Sequence, residues 1–326
     1  MTATDTLLPG HVGPGTHASR ARQQGTDGQR QAMPAPEPTE SAPAAGADPV
    51  APYRFLASYA QTVTELEKAR IAAENRLRAA VREAEDKDGI TRPPLIACPP
   101  GFDPADKDLV RKLVKAAEAA VRKPPGWDVF AWTQARIVVD LLATEHFAEL
   151  ELRRQMRKHP LWAWAESVPG AGEKQVARLL GAIGNPAWRP QIVRDDGTIE
   201  LTRPRRLSEL RSYAGHGDPA RRRRKGMARA DAQALGSDEA KMRLWLVACS
   251  LIKQDHGPYR AVYEQARERY RDRVHAEPCV RCGPKGKPAE AGSPWNLGHQ
   301  HAAAIRNTGK AFLDDLWRAA QAVHAE

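Results

Sequence analysis

The chain is poor in cysteine and in aromatic residues, and it has no long apolar run. Four cysteines in 326 residues are too few for a disulfide framework, which indicates a reducing compartment. No uncharged apolar stretch approaches the ~20 residues of a membrane span. The N-terminus also lacks a basic segment followed by an apolar one, the pattern of a secretory signal. We therefore expect a soluble cytoplasmic protein with no membrane partner.

Residues 1–52 contain no aromatic residue and are rich in proline, glycine and alanine. A segment of this composition cannot bury enough apolar surface to offset the entropy that is lost on ordering. The sequence therefore predicts a disordered N-terminal tail over residues 1–52.

Residues 53–158 show no alternation of period two, so we expect helices and no sheet there. A long amphipathic helix is expected from Tyr53, because apolar residues recur at three- and four-residue steps at Leu56, Tyr59, Val63, Leu66, Ala73, Leu77 and Ala80. Such a stripe fits a short coiled coil in a homodimer and equally a helix packed on its own domain. Two further helices are expected over residues 106–122 and 128–158.

Residues 159–277 are expected to form a mostly helical domain with one β-hairpin. Asp196-Gly197 lies between short β-branched segments and predicts a hairpin within residues 191–202. Helices are expected over residues 208–213, 237–253 and 258–275, with Ser237 as an N-cap. Residues 278–326 are expected to hold a cysteine-containing loop and a last helix over 302–323. The fold class is mostly α.

The positive charge of the chain is concentrated in one segment. The net charge is +10, and residues 203–229 contain ten arginines and lysines against two acids. A solvated charged face would interleave both signs, whereas this segment does not. The densest part predicts contact with nucleic-acid phosphates and consists of Arg221, Arg222, Arg223, Arg224 and Lys225. A run that only increases solubility is the alternative.

A glycine-rich turn between two expected helices is the sharpest local motif. It reads Val168-Pro169-Gly170-Ala171-Gly172-Glu173-Lys174, the pattern of a helix-hairpin-helix. Glycines allow a tight turn, and the N–H groups that open the next helix can hold a phosphate of the DNA backbone. The candidate DNA-binding residues are Pro169, Gly170, Gly172 and Lys174. An ordinary turn between two helices is the alternative.

Residues 161–273 resemble the C-terminal domain of the insertion-sequence 116/110/902 transposase family, whose members are known for recombination guided by a bridge RNA. The resemblance is carried by Val168-Pro169-Gly170-Ala171-Gly172 with Ala177-Arg178-Leu179-Leu180-Gly181-Ala182-Ile183-Gly184, by Leu207-Ser208-Glu209-Leu210-Arg211-Ser212-Tyr213-Ala214-Gly215, by Lys241-Met242-Arg243-Leu244-Trp245-Leu246, and by Gly257-Pro258-Tyr259-Arg260-Ala261-Val262-Tyr263. It covers about a third of the chain.

The resemblance implies a helical domain with a nucleophilic serine, acting beside a RuvC-like domain with acidic metal ligands. The stretch that should carry the serine reads His216-Gly217-Asp218-Pro219-Ala220 before the basic run and contains none. No catalytic residue is therefore assigned, and Ser237 fits a helix cap better than a nucleophile.

The leading expectation for function is a nucleoid-associated DNA-binding protein connected with transposition or site-specific recombination, diverged or truncated. One alternative is an active recombinase that uses an unrecognised nucleophile or a separate catalytic subunit. Another is an RNA-binding or scaffold protein.

A Cys-x-x-Cys-Gly sequence near the C-terminus has the form of a zinc knuckle. Cys279 and Cys282 supply two thiolates, and His299 and His301 follow as candidate imidazole ligands. Two thiolates and two imidazoles are enough for a closed tetrahedral zinc site with a structural role. Two free thiols and two histidines at a helix start are the alternative.

Overall fold

The computed structural model describes residues 51–85, 91–193, 199–217, 226–228, 231, 235–284 and 287–325. All of them lie in the unit Pro34–Glu326. The predicted disordered tail lies outside the described residues, except for Ala51 and Pro52, which open the first helix. The described part of the chain is mostly helical, as predicted.

The described part contains nine helices and two small antiparallel strand pairs. The helices are α1 (Ala51–Val81), α2 (Leu109–Ala119), α3 (Val129–Arg157), α4 (Trp162–Ser167), α5 (Glu173–Ile183), α6 (Leu207–Tyr213), α7 (Asp238–Leu251), α8 (Pro258–Arg269) and α9 (Leu297–Ala325). The strands are β1 (Ala84–Glu85), β2 (Thr91–Arg92), β3 (Trp188–Val193) and β4 (Ile199–Pro204).

Helix α1 has its apolar stripe buried within the chain. Leu56, Val63 and Leu77 are fully buried, and α1 packs against both α3 and α5. The approach of α5 is close, because a Cβ at Gly181 would lie 2.8 Å from the Cβ of Ala60. Of the two arrangements that the sequence left open, the structure has the helix packed on its own chain. Pairing in a homodimer through this stripe would require α1 to leave α3 and α5.

Helices α1, α2 and α3 share one apolar core. Leu77, Leu113 and Val138 are buried in it, and Trp127 closes one end with its ring edge-on to Phe102 at 5.8 Å. Helix α3 begins as predicted after Asp128, whose side chain accepts a hydrogen bond from the Phe130 N–H at 2.7 Å. This capping satisfies one of the open N–H groups of the first turn.

The strand pair β1–β2 contradicts the expectation that residues 53–158 contain no sheet. Each strand has two residues, and Ala84 pairs with Arg92. Strands this short cannot produce a visible alternation of apolar and polar residues, so periodicity could not indicate them. The predicted hairpin is present as the antiparallel pair β3–β4, whose strands extend from Trp188↔Pro204 to Val193↔Ile199. Its predicted Asp196-Gly197 turn lies outside the described residues.

The C-terminal helices differ from the predicted bounds in a way that matters for the site. Helix α8 ends at Arg269, six residues before the predicted end at His275. Helix α9 begins at Leu297, five residues before the predicted start. Phe312 of α9 is fully buried between Trp164 and Tyr259, with ring centroids 5.4 and 5.7 Å away. This contact joins α4, α8 and α9.

Candidate nucleic-acid interface and metal centre

The basic run lies within residues 218–235, and the residues on either side of this segment both contact the end of α6. Gly217 lies so close to α6 that a Cβ there would be 2.7 Å from the Oγ of Ser212. Gly236, with φ +112°, lies against the Tyr213 carbonyl, 2.6 Å from its Cβ position. The Ser237 N–H then donates to that carbonyl at 2.8 Å. Gly217 and Gly236, which flank residues 218–235, therefore both lie beside the last turn of α6. The predicted DNA-binding residues Arg221, Arg222, Arg223, Arg224 and Lys225 lie outside the described residues.

Three basic side chains from two helices stand around this point, and we call Lys241, Arg306 and Lys310 the cationic cluster. Lys241 of α7 covers Gly215, whose Cβ position is 2.7 Å from the lysine Cδ. Arg306 and Lys310 flank Gly309 of α9, and the Cβ position of Gly309 lies 3.6 Å from Cε1 of His216. The charges of all three side chains act on the His216 ring, which lies just before residues 218–235.

His216 is buried and uncharged at neutral pH. Its side chain is 8% exposed, and its backbone N–H donates to the Arg211 carbonyl at 2.7 Å. Burial lowers the pKa of His216 to about 3, and the positive charges of Arg306, Lys310, Lys241 and Arg211 contribute to the decrease. A proton on this ring would add one more cation to a place that already holds several.

The predicted phosphate-binding turn has the expected backbone, but its lysine is paired. Gly170 has φ +85°, and a Cβ there would lie 2.9 Å from Cγ of Gln254. Lys174 forms an ion pair with Glu149 of α3 and is only partly exposed. Pro169 and Gly172 are exposed. The glycine at 170 is thus explained by packing, and the charge of Lys174 is balanced by an acid that lies 25 residues away in sequence.

Two cysteines and two histidines converge near the C-terminus. The ligand atoms of His275, Cys279, Cys282 and His299 all lie within 4.8 Å of one another. Cys279 exchanges two backbone hydrogen bonds of 2.8 Å with Ala289, which holds the Cys-x-x-Cys turn against the returning chain. Gly283 is required there, because a Cβ would lie 1.9 Å from the Lys287 carbonyl oxygen. This group of residues could hold a metal ion.

The spacing of the donors fits tetrahedral coordination. Nδ1 of His299 lies 3.7 Å from the Sγ of Cys279 and 3.3 Å from that of Cys282. Ligands at the usual Zn–S and Zn–N bond lengths stand about 3.5 Å apart across a tetrahedral angle. His275 is 5% exposed, and its Nε2 is buried without a hydrogen-bond partner among the described residues. Such an unpaired nitrogen is costly unless it binds something.

Neighbouring residues fix the orientation of His299 and favour the neutral form of its ring. Its backbone N–H donates to Oδ1 of Asn296 at 2.7 Å, and the ring stacks on Trp295 with centroids 4.0 Å apart. Burial lowers the pKa of His299, and the charges of His275 and Arg281 lower it further. A neutral imidazole is the form that binds a metal.

His301 does not belong to this group, although the sequence suggested it. Its Nδ1 lies 2.7 Å from the hydroxyl of Tyr263. Because α9 begins at Leu297, His299 and His301 are helical positions about 200° apart around the helix, so they face opposite sides. The fourth donor is His275, which sequence reasoning missed by extending α8 to that residue. Its position four residues before Cys279 was the available signal.

None of the helices in the described part of the chain combines the length and apolarity that crossing a membrane requires. Comparison with protein-family models, curated proteins and solved structures finds no match for the chain.

Proposed function

We propose that the protein binds DNA through the basic segment, residues 218–235, and the cationic cluster at its base. The observation that carries this proposal is that Gly217 and Gly236, which flank the segment, both lie at the end of α6, close to His216, on which the charges of Lys241, Arg306 and Lys310 act. We therefore propose that the charge of the segment adds to the charge of the two helices at a bound duplex. Such a surface attracts the phosphates of a duplex without reading its sequence.

The turn at Pro169–Gly172 has a smaller part in this proposal. The N–H groups of Gly172 and Glu173 make no hydrogen bond with any described residue, so they remain available to a phosphate. The charge of Lys174 contributes little, because Glu149 balances it. We therefore assign the main contact to the basic segment and a supporting contact to the turn.

The salt dependence of duplex binding tests the proposal. Changing Arg221, Arg222, Arg223 and Arg224 to alanine should weaken binding to all sequences and reduce the slope of log K against log salt by ~0.9 for each phosphate that is no longer neutralised. A matched control removes four exposed charges elsewhere, at Lys68, Arg111, Lys115 and Arg122, and should leave the slope unchanged. Equal slopes in both variants would exclude the basic segment from the interface. Stronger binding to single-stranded or duplex RNA than to DNA would favour RNA as the partner.

The link to transposition rests on the resemblance, and we propose that this chain alone does not cut DNA. Ser237 acts as the N-cap of α7, since its Oγ accepts a hydrogen bond from the Ala240 N–H at 3.1 Å. Among the described residues, neither an acid nor a histidine is hydrogen-bonded to this hydroxyl, as activation of a nucleophile requires. Incubation with DNA and Mg²⁺ should give no nick and no covalent adduct. An adduct that disappears in Ser237→Ala and persists in Ser212→Ala would make Ser237 the nucleophile, whereas cleavage only with a second polypeptide would indicate a separate catalytic subunit.

We also propose that the two cysteines and two histidines bind zinc in a structural role. Four protein donors leave no open position, which is typical of sites that hold a fold together rather than perform catalysis. His275 follows α8 and His299 lies in the first turn of α9, so a bound ion would join the two helices through the Cys279–Cys282 turn. Elemental analysis should find one zinc per chain, and Cys282→Ser should release it while Cys98→Ser, outside the group, should not. A metal-free protein with unchanged melting would leave the two cysteines as free thiols.

A further inference from the structure

The face of α9 that looks toward α6 carries two basic residues and one acid. Arg306, Lys310 and Asp314 follow one another at steps of four residues, so they lie on one face. Asp314 is already used, because its carboxylate accepts two hydrogen bonds from the Arg211 guanidinium, the one from Nε at 2.8 Å.

The two lysines of the cationic cluster lack partners. The side-chain ammonium groups of Lys241 and Lys310 make no hydrogen bond or ion pair with any residue in the described part of the chain. They come from different helices, yet both stand close enough to His216 for their charges to act on its ring. Convergence of unpaired lysines from separate helices prepares a place for an anion, because the anion offsets their mutual repulsion.

The buried His216 ring, on which both lysines act, also has a polar atom without a hydrogen-bond partner. Nδ1 of His216 is buried and has no hydrogen-bond partner among the described residues. A buried polar atom without a partner costs free energy that a bound ligand can recover. Because the ring is neutral, it can carry its single proton on Nδ1 and donate it to an oxygen.

We propose that the cationic cluster binds one phosphate group, held by Lys241, Arg306 and Lys310 and by a hydrogen bond from Nδ1 of His216. Gly215 lies under the side chain of Lys241, and the Cβ position of Gly309 lies 3.6 Å from Cε1 of His216, so the two glycines mark where α7 and α9 approach the histidine. A phosphate suits the site better than a carboxylate, because its several oxygens and its higher charge match three cations and a neutral donor. The identification of this phosphate with the DNA backbone rests on the proposed function, and free inorganic phosphate has the same chemistry.

The first arm of the test uses inorganic phosphate alone. The melting temperature is followed as phosphate replaces chloride at constant ionic strength, and the apparent Kd is obtained from the shift. Lys310→Gln should weaken phosphate binding about tenfold, as expected for the loss of one charge-assisted hydrogen bond. Lys115→Gln on α2 is the matched control and should bind as the native chain does. Absence of a shift with phosphate beyond that with chloride would overturn the proposal.

Two substitutions of His216 distinguish the loss of its hydrogen-bond donor from a general loss of folding. His216→Asn keeps an N–H donor near the position of Nδ1, and His216→Leu removes it. The asparagine variant should retain most of the phosphate affinity and the leucine variant should lose it. Equal affinity in the two variants, both folded by circular dichroism, would remove His216 from the site.

The second arm distinguishes the source of the phosphate. If the site holds a phosphate of the DNA backbone, inorganic phosphate should compete with DNA, and Lys310→Gln should reduce the salt slope of DNA binding by ~0.9. If Lys310→Gln loses phosphate binding while its DNA slope equals that of Lys115→Gln, the site takes free phosphate. If the native chain does not bind DNA but its phosphate shift disappears in Lys310→Gln, the proposed function fails and the phosphate site stands.

Discussion

The packed helices, here called the helical body, and the cysteine-containing segment of residues 270–298 differ in what stabilises them. In the body, the packing of α1, α2 and α3 buries Leu77, Leu113 and Val138 completely. In the segment of residues 270–298, Val280 and Leu297 are 83% and 71% exposed, and the chain is held by short bridges such as Val274↔Pro294. Apolar burial can stabilise the body alone, whereas we propose that the segment, which buries less, depends on zinc held by its four donor side chains. The two regions should therefore respond differently to the same treatment.

The largest expected difference is the response to loss of the metal. Zinc binding in small zinc domains contributes apparent free energies of about 10–16 kcal/mol, so Cys282→Ser or chelation should unfold the segment locally. Hydrogen exchange should then accelerate in residues 270–298, while amides of α1 and α3 keep their protection. Cys98→Ser is the control. Equal loss of protection in the body would show that the two regions are not independent.

Leu113→Ala should produce the opposite pattern. Leu113 is fully buried in the core of α1, α2 and α3, and such truncations lower the free energy of unfolding by about 2–5 kcal/mol. Denaturation followed by far-UV circular dichroism measures this loss, and the zinc content of the folded variant should remain at one per chain. A variant that loses its zinc while folded would show that the core and the metal site act together.

Acid should weaken the helical body through His216. The pKa of His216 is about 3 in the folded protein and 6.5 in the unfolded chain, so below pH 6.5 the unfolded state binds a proton that the folded state does not. The free energy of unfolding should fall by about 2 kcal/mol between pH 7 and pH 5 from this group. His216→Gln should show a smaller decrease over this range in chelated protein, where the metal site does not contribute. An identical decrease in both proteins would contradict the assignment.

Asn296→Ala should have the smallest effect, and it acts where the two regions meet. The side chain accepts from the His299 N–H and donates to the Arg281 carbonyl at 3.3 Å, so it caps α9 and holds the metal-binding turn. Loss of the cap should cost about 1 kcal/mol of stability. Loss of a group that orients a metal ligand should weaken zinc binding about 10–100-fold. Competition with a chromophoric chelator measures the affinity, and an unchanged value would confine Asn296 to capping.

Local sequence patterns predicted the helices and their caps better than they predicted contacts between residues far apart in the sequence. The periodic apolar stripes indicated α1 and α3, and the sequence around Ser237 indicated the cap that the Ala240 N–H confirms. These signals lie within a few residues of the structure they specify. By contrast, the ion pair of Lys174 with Glu149 joins residues 25 positions apart, and the burial of the α1 stripe against α5 joins residues about a hundred apart or more. No local pattern contains such contacts.

The group of cysteines and histidines that could hold a metal was predicted only in part, for the same reason. Cys279 and Cys282 follow a short motif, and His299 belongs to the group as expected. The fourth donor depended on where two helices end, which is the least certain part of any interpretation from sequence. Residues 270–275 leave the helical path after Arg269, and this change brings His275 to the cysteines.

The two glycines that fix the ends of residues 218–235 have a consequence for the evolution and engineering of the chain. Because Gly217 and Gly236 both contact the end of α6, the chain leaves and rejoins the helical body at one place. The entropy of closing such a loop rises only with the logarithm of its length, so doubling the length costs about 0.6 kcal/mol. Insertions, deletions and exchanges of residues in this segment should therefore be tolerated, and a loop from another protein could be grafted there to give the same body a different ligand.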